Sequence, residues 1–73
     1  MRQVIIYQGE DGQWVAEVPS LPGCLSQGPT RDEALRNAAE AVESWIAAAK
    51  SFNEPIPGDP MTAEIRTIAT DAA

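Results

Sequence analysis

The chain of 73 residues has no histidine, a single cysteine, and only five basic residues against eleven acidic ones. Each scarcity excludes a class of function. Without histidine there can be no Ser-His-Asp or Cys-His catalytic set. Cys24 has no partner for an internal disulfide, and a structural zinc site needs about four Cys or His ligands that the chain does not possess. The net charge of −6 argues against direct binding to nucleic acid, which requires clustered Lys and Arg to displace counterions; it suits a basic protein partner. No apolar run approaches the ~20 residues of a membrane span. The first residues, with Arg2, Gln3 and Gln8 around a short apolar run, lack the apolar centre of a signal peptide. The expected location is therefore the cytoplasm, where Cys24 stays reduced. One domain over 1–73 is all that this length allows, with no separate DNA-binding domain. A core of this size supplies only about 3–5 kcal/mol of net stability. With no metal or disulfide to add to it, self-association as a homodimer or higher oligomer is expected.

What is present centres on residues 18–35. Pro19, Pro22 and Gly23 turn the chain between two short apolar runs, and Gly28-Pro29 stops the second. Thr30 follows, with Glu33 three residues on and helix formers behind it. This is the pattern of a capping box. Asp32 and Glu33 also place negative charge at the positive end of the helix dipole.

Before this boundary the chain reads as strands. Val4-Ile5-Ile6-Tyr7 are strong strand formers. Residues 8–13 hold two glycines and an Asp-Gly pair, a hairpin signal. From Trp14 to Val18 the residues alternate, with Trp14, Ala16 and Val18 on one face and Val15 and Glu17 on the less buried one. Cys24-Leu25-Ser26-Gln27 is a short third strand. From 31 to about 51 the period becomes helical: Leu35, Ala38, Val42, Trp45, Ile46 and Ala49 form one stripe, and Trp45 is expected to make the largest contact with the sheet. The proline-rich residues 54–60 cannot be helix. Residues 61–70 read as a fourth strand, and 71–73 as a frayed end. The fold class is α+β in the order β-β-β-α-β. A three-stranded antiparallel meander is followed by one helix on one sheet face and a fourth strand parallel to the first, reached by a right-handed crossover. The opposite sheet face is left bare, with apolar positions that invite a partner. The last strand could also pair edge to edge with its own copy in a second subunit.

The run Trp14-Val15-Ala16-Glu17-Val18-Pro19-Ser20-Leu21-Pro22-Gly23-Cys24, followed by Gln27-Gly28-Pro29-Thr30-Arg31-Asp32-Glu33-Ala34, resembles the signature of HicB-type antitoxins. Ala41-Val42-Glu43-Ser44-Trp45 and Ile56-Pro57 fit the same pattern. Its most specific parts are Pro19, Leu21, Pro22, Gly23 and Cys24 in the turn, and Gly28, Thr30 and Glu33 at the start of the helix. The resemblance implies a truncated ribonuclease-H-like fold. It also implies a role in neutralising a small basic HicA-like toxin that cleaves messenger RNA, by covering the toxin's active face. Many relatives carry a ribbon-helix-helix or helix-turn-helix module after the sheet, for which this chain leaves no room.

Catalysis has little to draw on. The first strand carries no carboxylate, so a two-metal nuclease would have to use Glu40 or Glu43 with Glu64. Helical carboxylates are most often solvated surface charges, and no cofactor or metal ligand set stands out. Cys24 reads as a small packed residue, and Gly9, Gly12, Gly23 and Gly28 as turn glycines rather than a phosphate cradle. Glu10, Asp11, Glu17, Glu40 and Glu43 could meet a basic partner. Trp14 is either core under the helix or an interface anchor. A solitary oligomeric domain with an unrelated partner or ligand is the alternative function, and the metal-dependent nuclease a more remote one.

Overall fold

The computed structural model describes residues 1–60 and 62–70. Four elements follow in order: β1 (Ile5–Gln8), β2 (Trp14–Glu17), β3 (Leu25–Gly28) and α1 (Arg31–Ser51). The strands form one antiparallel sheet in the order β1-β2-β3. Across it, Ile5, Glu17 and Leu25 share one row, and Tyr7, Val15 and Gln27 another. The rows between them are Ile6-Ala16-Ser26 and Gln8-Trp14-Gly28. Gly9 N–H donates to the Gln13 carbonyl at 2.8 Å, and Val18 N–H to the Cys24 carbonyl at 2.9 Å. Antiparallel pairing alternates. Val15 and Glu17 therefore bond to β1, while Trp14, Ala16 and Val18 bond to β3, and Ile6 and Gln8 point their backbone groups at the free edge of β1.

The turns are made by the residues that signalled them. Gly12, at φ +85°, closes the first hairpin, and Asp11 Oδ1 accepts from Gln13 N–H at 3.0 Å. Leu21 N–H donates to Val18 and Cys24 N–H to Leu21, giving two consecutive turns. Pro22 and Gly23 are the central residues of the second. Gly23 stands at φ +77°, the left-handed position that a type II turn demands after proline.

Helix α1 starts at Thr30, whose hydroxyl accepts from Glu33 N–H at 3.1 Å. Only this half of the expected capping box is made. The helix ends in a feature that the sequence reading passed over. Asn53 adopts φ 56°, its N–H donates to Lys50, and Glu54 N–H reaches back to Ala49 at 2.8 Å. That is a Schellman cap with asparagine at the left-handed position.

The helix packs over β3 and β2. Of the expected stripe, Ala38 and Ala49 are buried, but the deepest contact also includes Ala34 from outside it: Ala34 and Ala38 meet Ala16, with Val4, Ile6 and Trp14 around them. Leu35, Val42 and Ile46 are only half-buried. The physical reason is Gly28. A Cβ there would lie 2.9 Å from the Ala34 nitrogen, so helix and strand touch backbone to backbone, and only small side chains fit between them. A second cluster, Val18, Leu21 and Cys24, fills the space under Ala41, Val42 and Trp45. Trp45 thus rests on the turn rather than on the middle of the sheet, and its indole N–H donates to the Pro22 carbonyl at 3.0 Å.

The fourth strand is the main correction. Residues 62–70 form no ladder with β1, while Met61 and the expected frayed end at 71–73 lie outside the described residues. The chain beyond the helix nevertheless returns to the N-terminal residues. Arg2 donates to the carbonyls of Pro57 at 2.6 Å and Gly58 at 3.4 Å. Gln3 N–H donates to Asp59 at 2.6 Å, and Gln3 Oε1 accepts from Ala63 N–H at 3.2 Å. Ala63, Glu64 and Ile65 then flank Gln3 to Ile6 across a crevice. Each of these bonds runs between a side chain, of Arg2, Asp59 or Gln3, and a backbone group. The molecule is elongated, at 46 × 26 × 20 Å with a radius of gyration of 14.2 Å; a compact chain of this length has about 11 Å.

Candidate partner-binding surface

One sheet face lies under α1. The other is bare, and its composition follows from strand alternation. Ile5 and Tyr7 come from β1, Val15 and Glu17 from β2, Leu25 and Gln27 from β3. Tyr7 is 48% exposed and Leu25 54%, while Ile5, Val15 and Glu17 are half-buried. The result is an apolar surface of four side chains with a carboxylate set in it. Leu25 and Glu17 also border a recess of about 230 Å³, closed by Pro19, Leu21, Pro22 and Cys24. The two turns that position this recess are the most distinctive stretch of the sequence.

The chemistry available here is recognition. Apolar and aromatic side chains supply area to be desolvated, and Glu17 supplies a charge that a cationic side chain can meet. A Lys or Arg stem laid against Pro22 and Leu25 would bring its head to Glu17. Cys24 lies beneath the recess and is buried. Burial pushes its thiol above the usual value, and the positive charge of Arg2 opposes that shift. It is held as a neutral packed group.

The residues singled out from the sequence occupy several places. Glu10 and Asp11 are exposed at the tip of the first hairpin, beyond the end of the bare face. Glu17 is on that face. Trp14 is half-buried on the opposite side, packed against the alanine cluster. Glu40 and Glu43 are exposed on α1, and Glu43 borders a groove of about 420 Å³ with Arg2, Val4, Leu35 and Val42. The fold therefore does not gather these six into one patch. Among the described residues no three His, Cys, Asp or Glu side chains group closely enough to hold a metal ion. Glu64 instead pairs with Arg66 at 3.2 Å. Tyr7 and Leu25 were not singled out, although their signal was present. Tyr7 shares the parity of Ile5, and the turn register places Leu25 opposite Glu17.

No helix among the described residues is long and apolar enough to cross a membrane. Comparison with known proteins supplies a context for the surface. The family model described as HicB_like antitoxin of bacterial toxin-antitoxin system matches residues 3–71. A UPF0150 protein of Thermoplasma acidophilum is 52% identical over 56 residues, covering 77% of this chain and 81% of the relative. One from Synechocystis is 37% identical over 65 residues, covering 89% and 86%. Another from Archaeoglobus fulgidus is 37% identical over 51 residues, covering 70% and 74%. No solved structure matches.

Proposed function

The chain belongs to the HicB-like antitoxin family of bacterial toxin–antitoxin systems, and from that premise we propose that it is a non-enzymatic binding protein that neutralises a small basic toxin. The toxin, an mRNA-cleaving enzyme of the cytoplasm, is held by surface complementarity, its active face covered by the bare sheet face. The observation that carries this reading is the uncovered row pair Ile5-Glu17-Leu25 and Tyr7-Val15-Gln27. An apolar face this open on a small acidic domain is an interaction site by default, and the acidic balance steers a basic partner towards it. Glu10 and Asp11 at the hairpin tip extend the negative potential beyond its edge. The unit acts as a single domain that self-associates, and it regulates through its protein partner rather than by touching nucleic acid itself.

The test uses the tagged protein recovered from its host at low salt, followed by mass spectrometry of what remains bound. A small, strongly basic protein that is released as salt rises is the expected partner. Produced alone, that partner should arrest growth, and co-production of the wild-type chain should relieve the arrest. Tyr7→Asp and Leu25→Asp, which alter exposed side chains, should fold normally and fail to give relief. Full relief by both variants would overturn the assignment of the bare face. Absence of any basic partner would overturn the toxin reading.

A further inference from the structure

We propose that residues 62–68 are a docking strand for a second copy of this chain, pairing antiparallel with the same residues of the copy about a two-fold axis through Ile65. The proposal deepens the self-association reading and rests on it. Three observations lead to it. The segment is rich in strand formers, Thr62, Ile65, Thr67 and Ile68, yet it makes no ladder within its own chain. Its large apolar side chains are unprotected, Ile65 being 90% exposed and Ile68 77%. Such a segment in water is an unfinished strand.

The second copy is selected by charge complementarity. Glu64 and Arg66 flank Ile65, two residues apart and therefore on one face of a strand. If two copies pair with Ile65 opposite Ile65, each Glu64 falls opposite the other chain's Arg66, twice over. A register centred on Glu64 sets carboxylate against carboxylate, and one centred on Arg66 sets guanidinium against guanidinium. One centred on Thr67 leaves the charges opposite Ile68 and Thr70. Only the Ile65 register matches both charges, and directly opposed like charges destabilise a pair. Within one chain the two side chains already meet at 3.2 Å, both well exposed, and can exchange partners without being desolvated.

The backbone agrees on parity. Ala63 N–H is turned inward, donating to Gln3 on the β1 side. Along a strand, successive backbone groups alternate in direction. When the segment is extended as a strand, that alternation turns the backbone groups of Ala63, Ile65 and Thr67 toward the chain's own sheet and those of Glu64 and Arg66 outward. In the proposed register Glu64 and Arg66 form the hydrogen-bonded pairs. Ile65 with Ile65 is a non-hydrogen-bonded pair, the kind in which side chains approach most closely. Pairing makes a two-stranded ribbon of the two segments and brings the Ile65 side chains, now 90% exposed, against each other.

Sedimentation equilibrium and disulfide trapping on the full chain test this. The wild-type protein should have the mass of a dimer. Glu64→Arg alone, or Arg66→Glu alone, should raise the dimer dissociation constant about tenfold or more, and the two together should restore it. Ile65→Cys should cross-link to its copy under mild oxidation, because the pair would stand about 4.5 Å apart between Cα atoms, within disulfide range. Ile68→Cys, which faces Thr62 of the copy, should not, and buried Cys24 should stay out of the reaction. A dimer that is indifferent to both charge reversals and leaves Ile65→Cys uncrosslinked overturns the strand pairing while self-association stands. A monomer at every concentration overturns both.

Discussion

At the residue scale the chain uses small side chains and single bonds where larger proteins use bulk. Arg2 joins three separate parts: its guanidinium donates to Ser20 Oγ at 3.1 Å and to the carbonyls of Pro57 and Gly58. It thereby satisfies Ser20, the buried polar residue of the turn, and fastens the C-terminal segment to the N-terminus. Nothing in the local sequence marks Arg2 for this, since its partners lie 18 and 55 or more positions away. Cys24, by contrast, was readable as packed core. Its raised thiol value gives a pH prediction. Because the folded chain holds the thiol proton to higher pH than the unfolded one, stability is unaffected below the ordinary value of 9.0 and falls as the pH rises past it. Thermal melts between pH 7 and 10.5 should show that decline beginning near pH 9, and Cys24→Ala should flatten its onset while lowering stability throughout. An identical slope in the variant would assign the decline to other groups.

At the scale of elements, the boundary between β3 and α1 decides how the layers fit. Thr30 caps the helix, and Gly28 lets the strand approach it so closely that alanines line the contact. Gly28 needs no unusual dihedral; the constraint is space, with Ala34 N at 2.9 Å and Glu33 at 3.1 Å from the site of a Cβ. These are backbone or near-backbone atoms that cannot swing aside. Gly28→Ala should therefore cost about 1–3 kcal/mol, the range of overpacking a tight core, measured by urea denaturation. A loss below a few tenths would mean that helix and strand separate without penalty. The same contact explains why Ala34 joins Ala38 and Ala49 as the deepest residues of the helix. Periodicity identifies an apolar side but is blind to how near the sheet can come. Close contact at Gly28 brings Ala34 inward beside Ala38, while Leu35, Val42 and Ile46 stay half-covered. The C-terminal segment shows the converse: its strand propensity was legible, but a strand exists only when paired, and Arg2, Gln3 and Asp59 hold it beside β1 without a ladder.

At the scale of the whole molecule, the fully buried side chains among the described residues are few, and the largest of them are Leu21 and Val18. Such a core is thin for independent stability, and both the bare sheet face and the C-terminal segment, with Ile65 and Ile68 exposed, carry apolar area that a monomer leaves wet. If folding and pairing are linked, melting must depend on concentration. Calorimetry over a hundredfold concentration range should raise Tm by roughly 5–10 °C, from the specific unfolding entropy of two chains of this size. A constant Tm would mean that the single chain is stable alone. By itself the sequence determined the three strands, both turns, the helix and its start, the absence of the usual catalytic sets and the acidic character. Each of these is written in neighbouring residues, as proline and glycine geometry, cap chemistry, alternation or composition. The tertiary structure alone decided which residues of the helix lie deepest, that Tyr7 and Leu25 share the open face with Glu17, that Arg2 ties the ends together, and that residues 62–70 add no strand to the sheet. Those outcomes depend on distances between residues far apart in sequence, which no local pattern records.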